Sequence, residues 1–182
     1  MDLSIYVFKT IDRIKNRKQN NCPFVKNANE ILVSKDIVYR ESDAKVCKLD
    51  AYVIPKDEGL YPVVFYIHGG GFVAGGKKYR RGVANWYASN GFFVVNVDHG
   101  LCPDYKFPQP VIHLADALNW VVDHAQELRL DLDKLIVAGD SAGAYYAALL
   151  AVTAYNKKLQ SLFEVKPKTT FKAAVLNCGL YD

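Results

Sequence analysis

The chain opens with apolar residues at helical spacing and then changes to a strand pattern. Apolar side chains recur three or four positions apart at Leu3, Tyr6, Val7, Ile11 and Ile14. This spacing predicts an amphipathic helical cap segment within residues 1–30. Two strands are predicted over 34–39 and 48–54, the second because apolar and polar residues alternate along it. A turn over 55–59, which contains Pro and Gly, closes this part of the chain.

Continuous apolar runs dominate the rest of the chain. They cover residues 63–67, 135–138 and 173–176, and residues 92–97 form a nearly continuous run that Asn96 interrupts. Strands that are buried on both faces read this way, as in a parallel sheet covered by helices. Helical patterns lie between the runs, over 79–89, 111–127 and 142–155. The alternation predicts a single α/β domain over 1–182, with a mostly parallel sheet whose ligands bind at the carboxyl ends of its strands.

The composition is that of a folded domain without membrane spans. Of the 182 residues, 51% are hydrophobic and 13% aromatic, which excludes the disordered class. No apolar stretch reaches the roughly 18–20 residues of a membrane span, and the N-terminus lacks the pattern of a secretory signal. We therefore expect a cytoplasmic protein. The four cysteines are widely spaced, which favours reduced thiols over a disulfide framework or a zinc site.

The net charge of +4 comes mainly from a cluster near the N-terminus. Its basic residues are Lys9, Arg13, Lys15, Arg17 and Lys18. Such a cluster suits either a nucleic-acid or anionic-lipid contact, or the solvated face of a helix. The apolar stripe behind it favours the solvated face, so no nucleic-acid partner is expected.

A Gly-Asp-Ser-Ala-Gly sequence at 139–143 lies between an apolar run and an Ala-rich helical pattern. It fits the G-x-S-x-G nucleophile elbow, in which a sharp strand-to-helix turn holds a serine hydroxyl out from the sheet. The N-terminus of the following helix favours negative charge at that position. The alternative is a glycine-rich turn with a helix-capping serine.

A second glycine-rich motif, His-Gly-Gly-Gly at 68–71, follows the run over 63–67. Consecutive glycines let backbone N–H groups face a ligand, and such groups bind the oxygen that becomes negative when a carbonyl is attacked. A flexible loop or a phosphate cradle are the alternatives. The Gly-Gly-Lys-Lys at 75–78 lacks the hydroxyl residue of a Walker-type phosphate loop. The two motifs together favour acyl transfer.

From about residue 63 onward, the sequence resembles the hormone-sensitive-lipase-like branch of the α/β-hydrolase superfamily. Beside the two motifs, residues 99–104 read His-Gly-Leu-Cys-Pro-Asp where that family usually has Tyr-Arg-Leu-Ala-Pro-Glu. Phe107-Pro108, Asp116 and Trp120 also resemble family positions. Tyr145 and Tyr146 are bulkier than the residues that often follow the elbow, which indicates a narrower pocket.

The resemblance implies a role for each motif residue. Ser141 is the expected nucleophile, and the expected oxyanion donors are the amide of Ala142 and two of the amides of Gly69, Gly70 and Gly71. The residues expected to support them are His68, which anchors the loop, and Gly139, Asp140 and Gly143. Family members are mostly carboxylesterases and lipases that act on short to medium acyl chains, and they need no metal or organic cofactor.

The superfamily places its catalytic acid and histidine after the serine. The histidines of this chain all precede Ser141, at His68, His99, His113 and His124. His99, near the end of a predicted strand, is the candidate for a substitute base. We therefore expect impaired activity from a truncated chain, which lacks the last strands of the fold. The alternative is an inactive hydrolase-fold protein that binds a small acyl or acidic ligand.

The strand predicted near the C-terminus has an open outer edge over 173–178. Exposed apolar strand edges recruit partners, so homo-oligomer formation through this edge is expected.

Overall fold

The computed structural model describes residues 5–7, 9–10, 14, 20 and 22–181. Of the helical cap segment predicted within 1–30, residues 1–4, 8, 11–13, 15–19 and 21 lie outside these positions. They include four of the five basic residues of its predicted polar face, Arg13, Lys15, Arg17 and Lys18. No helix in the described part of the chain is long and apolar enough to cross a membrane.

One six-stranded sheet runs through the described residues, with the strand order β1-β2-β4-β3-β5-β6. The strands are β1 (Leu32–Val38), β2 (Lys48–Val53), β3 (Tyr61–Ile67), β4 (Phe93–Val97), β5 (Leu130–Asp140) and β6 (Ala173–Asn177). The first two are antiparallel to their neighbours, whereas β4, β3, β5 and β6 are parallel to one another. The prediction of a mostly parallel α/β sheet is confirmed.

Within residues 22–181, four α-helices flank the sheet. They are α1 (Arg81–Ser89), α2 (Gln109–Asp123), α3 (Ala142–Tyr155) and α4 (Lys157–Leu162). The predicted bounds of α3 are confirmed. The sequence pattern missed α4, whose N-terminal signal is Asn156: its side chain accepts hydrogen bonds from the amides of Lys158 and Leu159.

Two predicted boundaries were wrong between α2 and β5. The helix was expected to reach residue 127 but ends at Asp123, and the chain then turns back so that the Leu130 amide donates to the Ala125 carbonyl. Strand β5 begins at Leu130 rather than at residue 135, because Leu130 pairs with Tyr61 before the register shifts. The apolar run marks only the part of β5 that is buried on both faces.

Helices cover both faces of the sheet because alternate residues of β3 point to opposite sides. On one face, Val63, Phe65 and Ile67 belong to the same core cluster as Leu118 of α2 and Leu150 of α3. On the other face, Tyr66 packs with Ala84 of α1. Burial on both faces explains why the inner strands are continuously apolar.

The two motifs meet because β3 and β5 are parallel neighbours. Ile67, the last residue of β3, pairs with Gly139 near the end of β5. The His-Gly-Gly-Gly segment and Ser141 therefore leave the sheet side by side, at the carboxyl ends of their strands.

Candidate functional site

Ser141 occupies a strained turn between β5 and α3. Its φ is 51° and its ψ is −121°, a conformation that costs a non-glycine residue about 1–3 kcal/mol. The residue is exposed, and its amide donates to the Asn177 carbonyl over 2.8 Å. Its side chain makes no capping hydrogen bond to α3, so the interpretation as a helix-capping serine is wrong. The turn presents the hydroxyl at the carboxyl end of β5.

The two glycines of the elbow are required by close backbone contacts. A Cβ at Gly139 would lie 2.5 Å from the Gly143 carbonyl oxygen, and a Cβ at Gly143 would lie 2.2 Å from that of Ile67. Both distances are far inside van der Waals contact. The start of α3 can therefore lie against the end of β3 only if these positions carry no side chain.

Three amides beside Ser141 have no internal acceptor. The N–H groups of Gly70, Gly71 and Ala142 donate to no other described residue. The Gly69 amide, by contrast, donates to Asp140 Oδ1 over 3.2 Å. This contact leaves Gly70 and Gly71 as the two loop glycines whose amides can face a developing oxyanion, together with Ala142 at the N-terminus of α3.

Asp140 ties the glycine loop to the elbow. Arg80 makes a two-point contact with it, Nε to Oδ1 over 2.8 Å and Nη2 to Oδ2 over 2.7 Å. Tyr66 donates its hydroxyl to Oδ1 over 3.0 Å. Burial opposes ionisation of Asp140, but the hydrogen bonds and charge of Arg80 outweigh it and lower its pKa. Neither Arg80 nor Tyr66 could be identified from the sequence, because contacts between residues 60 and 74 positions apart leave no local signal.

His68 and His99 stack beneath the loop as two neutral rings. Their centroids are 4.7 Å apart with an interplanar angle of 5°. Burial lowers the pKa of His68 to about 4; burial and the adjacent His68 lower that of His99 to about 3. His68 Nε2 lies 3.6 Å from Asp98 Oδ1, but a neutral ring does not form an ion pair there near pH 7. Such a low pKa also makes His99 a poor substitute base.

Each of the two rings hydrogen-bonds its own segment of backbone. His68 Nδ1 lies 3.0 Å from the Gly69 carbonyl oxygen, and His99 Nδ1 lies 2.9 Å from that of Gly100. Because a carbonyl only accepts, Nδ1 carries the proton in both rings and Nε2 is left as an acceptor. In the described part of the chain, Nε2 of His99 is buried without a partner.

An aromatic cluster closes the other side of the loop. The ring of Phe72 meets Tyr145 and Tyr146 edge to face, with centroid distances of 5.6 and 5.3 Å. The two tyrosines that follow the elbow thus pack against the residue that follows Gly71. Tyr146 also meets His99 edge to face at a centroid distance of 5.2 Å, so the aromatic cluster connects the loop, α3 and the stacked histidines.

Asp43, Cys47 and His113 are grouped closely enough to suggest a metal site, with candidate ligand atoms within 4.8 Å of one another. Their chemistry does not suit one. Burial raises the pKa of Cys47 to about 11, and Asp43 already pairs with Arg40 over 3.0 Å. His113 Nδ1 accepts from the Gly100 amide, so the Nε2 that faces Asp43 carries the proton.

The sequence is similar to one family profile and to known esterases. The profile of the BD-FAE family matches residues 49–182. Esterase LipI of Mycobacterium tuberculosis is 38% identical over 96 residues, which are 52% of this chain and 30% of LipI. The arylesterase of Saccharolobus solfataricus is 32% identical over 150 residues, which are 75% of this chain and 48% of that enzyme.

Solved structures agree in fold. Esterase B from Lactobacillus rhamnosis superposes with a TM-score of 0.88 at 23% identity, covering 97% of this chain and 56% of that one. The hyperthermophilic esterase of Pyrobaculum calidifontis gives a TM-score of 0.71 at 30% identity, covering 99% and 52%. The chain thus spans from 30% to 56% of the length of these four proteins. Because the BD-FAE profile matches nearly three quarters of its residues, the chain belongs to the BD-FAE family, and its esterase relatives support the resemblance to the hormone-sensitive-lipase-like branch of the α/β-hydrolase superfamily.

Proposed function

We propose that this chain carries the nucleophile and the oxyanion hole of a serine carboxylic ester hydrolase acting on short to medium acyl esters. The observation that carries the proposal is the position of Ser141. It is exposed, strained and at the carboxyl end of β5, beside the unengaged amides of Gly70, Gly71 and Ala142. The esterases among its relatives support the reaction class.

In the proposed reaction, the Ser141 hydroxyl attacks the ester carbonyl and its proton passes to a general base. The carbonyl oxygen becomes an oxyanion and accepts hydrogen bonds from the three amides. Loss of one such donor typically costs about 2.7–4 kcal/mol of transition-state stabilisation. When the tetrahedral intermediate collapses, the alcohol leaves with a proton and an acyl group stays on Ser141. Water then releases the acid by the same steps.

Asp140 has a positioning role in this proposal. Its carboxylate accepts a hydrogen bond from the Gly69 amide and forms an ion pair with Arg80. These two contacts keep the loop at a fixed distance from Ser141. Oxyanion stabilisation depends on donors that are already in place when charge develops.

A second candidate function is binding without catalysis, of a small acyl or acidic ligand at the same site. The observation that favours it is the engagement of the histidines. His68, His99 and His124 each contact a backbone carbonyl, and His113 accepts from a backbone amide. The base is therefore a separate requirement of the catalytic proposal, because a serine hydroxyl without one is a poor nucleophile near neutral pH.

Hydrolysis of p-nitrophenyl butyrate by the 182-residue protein separates the two candidates, with Ser141→Ala as the matched control. Catalysis predicts turnover that disappears in the variant, with a butyryl adduct on Ser141 detectable by mass spectrometry after rapid acid quenching. No hydrolysis above the uncatalysed rate by either protein would refute catalysis by this chain and favour the binding function. A rate that persists in Ser141→Ala would exclude Ser141 as the nucleophile.

We also propose self-association through residues 173–178. Strand β6 lies at the end of the strand order, and four of its five residues are exposed. Val175, one of them, is 37% exposed. Light scattering should show a mass that rises with protein concentration and a smaller rise for Val175→Lys, because a charge on an edge strand opposes pairing. A monodisperse monomer at high concentration would contradict this expectation.

A further inference from the structure

A second cavity, separate from the nucleophile, lies next to the oxyanion loop. It has a volume of about 310 Å³, and Ser141 is not among the residues that line it. His68 and Gly75 form its wall on the side of the loop, and Asp98 and His99 contribute from the end of β4. Its size is at the lower end of the range for small-molecule sites.

Three lysines surround this cavity without a counter-ion. No described carboxylate lies within ion-pair distance of Lys9, Lys45 or Lys78. The neighbouring Lys77 is the opposite case, since its buried ammonium pairs with Asp36 over 2.7 Å and also with Asp50. The charge of Lys77 is neutralised within the fold, whereas those of the three lysines are open to a ligand.

Two carboxylates also line the cavity and reduce its positive charge. Asp98 is engaged, because its Oδ1 accepts the Lys77 amide over 2.6 Å. Asp104 is exposed at the rim. Since the two histidine rings are neutral near pH 7, the lysines and aspartates together leave one net positive charge.

Backbone donors complete the site. The amides of Gly75 and Gly76 donate to no other described residue, although Gly76 is buried. A buried N–H group without an acceptor costs free energy that a bound anion would recover. Two neighbouring amides without an acceptor, with lysines nearby, suit the binding of an anion. The Gly-Gly-Lys-Lys segment lacks the Walker sequence but places two such amides directly before Lys77 and Lys78.

We propose that this cavity binds a small oxyanion, the carboxylate or phosphate group of a small molecule. The ammonium groups of Lys45 and Lys78 contact its oxygens, and the amides of Gly75 and Gly76 donate to them. The site is independent of ester hydrolysis, because Ser141 and the three oxyanion-hole amides take no part in it.

Titration of the isotope-labelled protein with sodium phosphate and, separately, with sodium acetate tests the proposal by NMR. Ionic strength is held constant with sodium chloride, because screening alone would otherwise change with the titrant. Saturable shifts of the Gly75 and Gly76 amide resonances are expected with at least one of the two anions. Response to phosphate alone indicates a phosphate ligand, and response to acetate alone indicates a carboxylate.

The matched variants are Lys45→Gln/Lys78→Gln and, as a control with the same charge change, Lys35→Gln/Lys158→Gln. Lys35 and Lys158 are exposed and lie outside the cavity. The first pair should weaken binding by about tenfold or more, since each loses a charge-assisted contact, and the control should bind like the parent protein. No saturable binding of either anion, or equal weakening by both double variants, would overturn the proposal. Circular dichroism checks that each variant is folded.

Discussion

Mild acid should destabilise this protein because two neutral histidines are buried under its oxyanion loop. The perturbation is a change from pH 7 to pH 5. In the unfolded chain, His68 and His99 have a pKa of 6.5 and become protonated over this interval. In the folded protein their pKa values are about 4 and about 3, chiefly because of burial, so both rings stay neutral. The unfolded state then binds more protons, and stability falls as the pH falls.

The magnitude follows from the size of the pKa differences. At pH 5, each ring is almost fully protonated when unfolded and almost fully neutral when folded. Linkage then gives a loss of about 2 kcal/mol for each histidine between pH 7 and pH 5, or about 4 kcal/mol for the pair. Small domains are stable by about 5–15 kcal/mol in total, so the loss is a large fraction of the whole.

Other titrating groups act in different directions or at lower pH. Burial also lowers the pKa of His113, which adds to the loss. Burial raises the pKa of Asp98, which gives an effect of opposite sign as the pH approaches that pKa. The lowered pKa of Asp140 stabilises the fold above its unfolded value of 3.8, and this contribution is lost only as the pH falls below that region.

Urea unfolding at pH 7, 6 and 5, followed by circular dichroism, measures the effect. His99→Phe keeps a ring between His68 and Tyr146 but removes one titrating group, so the fall between pH 7 and pH 5 should shrink by about half. Val111→Ala, a buried apolar variant that removes no titrating group, should lower stability by a similar amount at every pH. The reasoning is refuted if the parent protein is equally stable at pH 7 and pH 5, or if His99→Phe retains the full fall.

Three further predictions concern the elbow and its support. Gly143→Val should destabilise the fold by about 3 kcal/mol or more, or prevent folding, because its side chain would meet the Ile67 carbonyl; thermal unfolding or loss of soluble protein measures this. Asp140→Asn should cost about 2–4 kcal/mol in urea unfolding, because the buried Arg80 loses its counter-ion; an unchanged midpoint would contradict the role given to this pair. Ser141→Gly should raise the free energy of unfolding by about 1 kcal/mol, since glycine adopts the positive φ more readily, whereas Ser141→Ala should not.

Local patterns were sufficient for the layout of this fold. Buried parallel strands are apolar along their whole length, so the cores of β3, β4 and β5 could be recognised one at a time. Strand β6 was recognised by the same pattern, although four of its five residues are exposed. Helix α3 could be recognised with its ends, because an Ala-rich stretch directly follows the elbow. The beginning of β5 and the short α4 were missed, since the first depends on pairing with Tyr61 and the second on a single capping residue.

The same distinction between local patterns and tertiary contacts applies to the candidate site. The sequence alone determined that a serine elbow and a glycine loop follow two buried strands, because both motifs are contiguous and each needs small residues at fixed positions. Only the tertiary structure decided which loop amides are free, since the Gly69 amide is taken by Asp140. It likewise placed Arg80 on that carboxylate, and stacked His99 on His68 instead of leaving it as a base. These contacts join residues 31 to 71 positions apart, and whether a polar group is paired or buried depends on such distant neighbours.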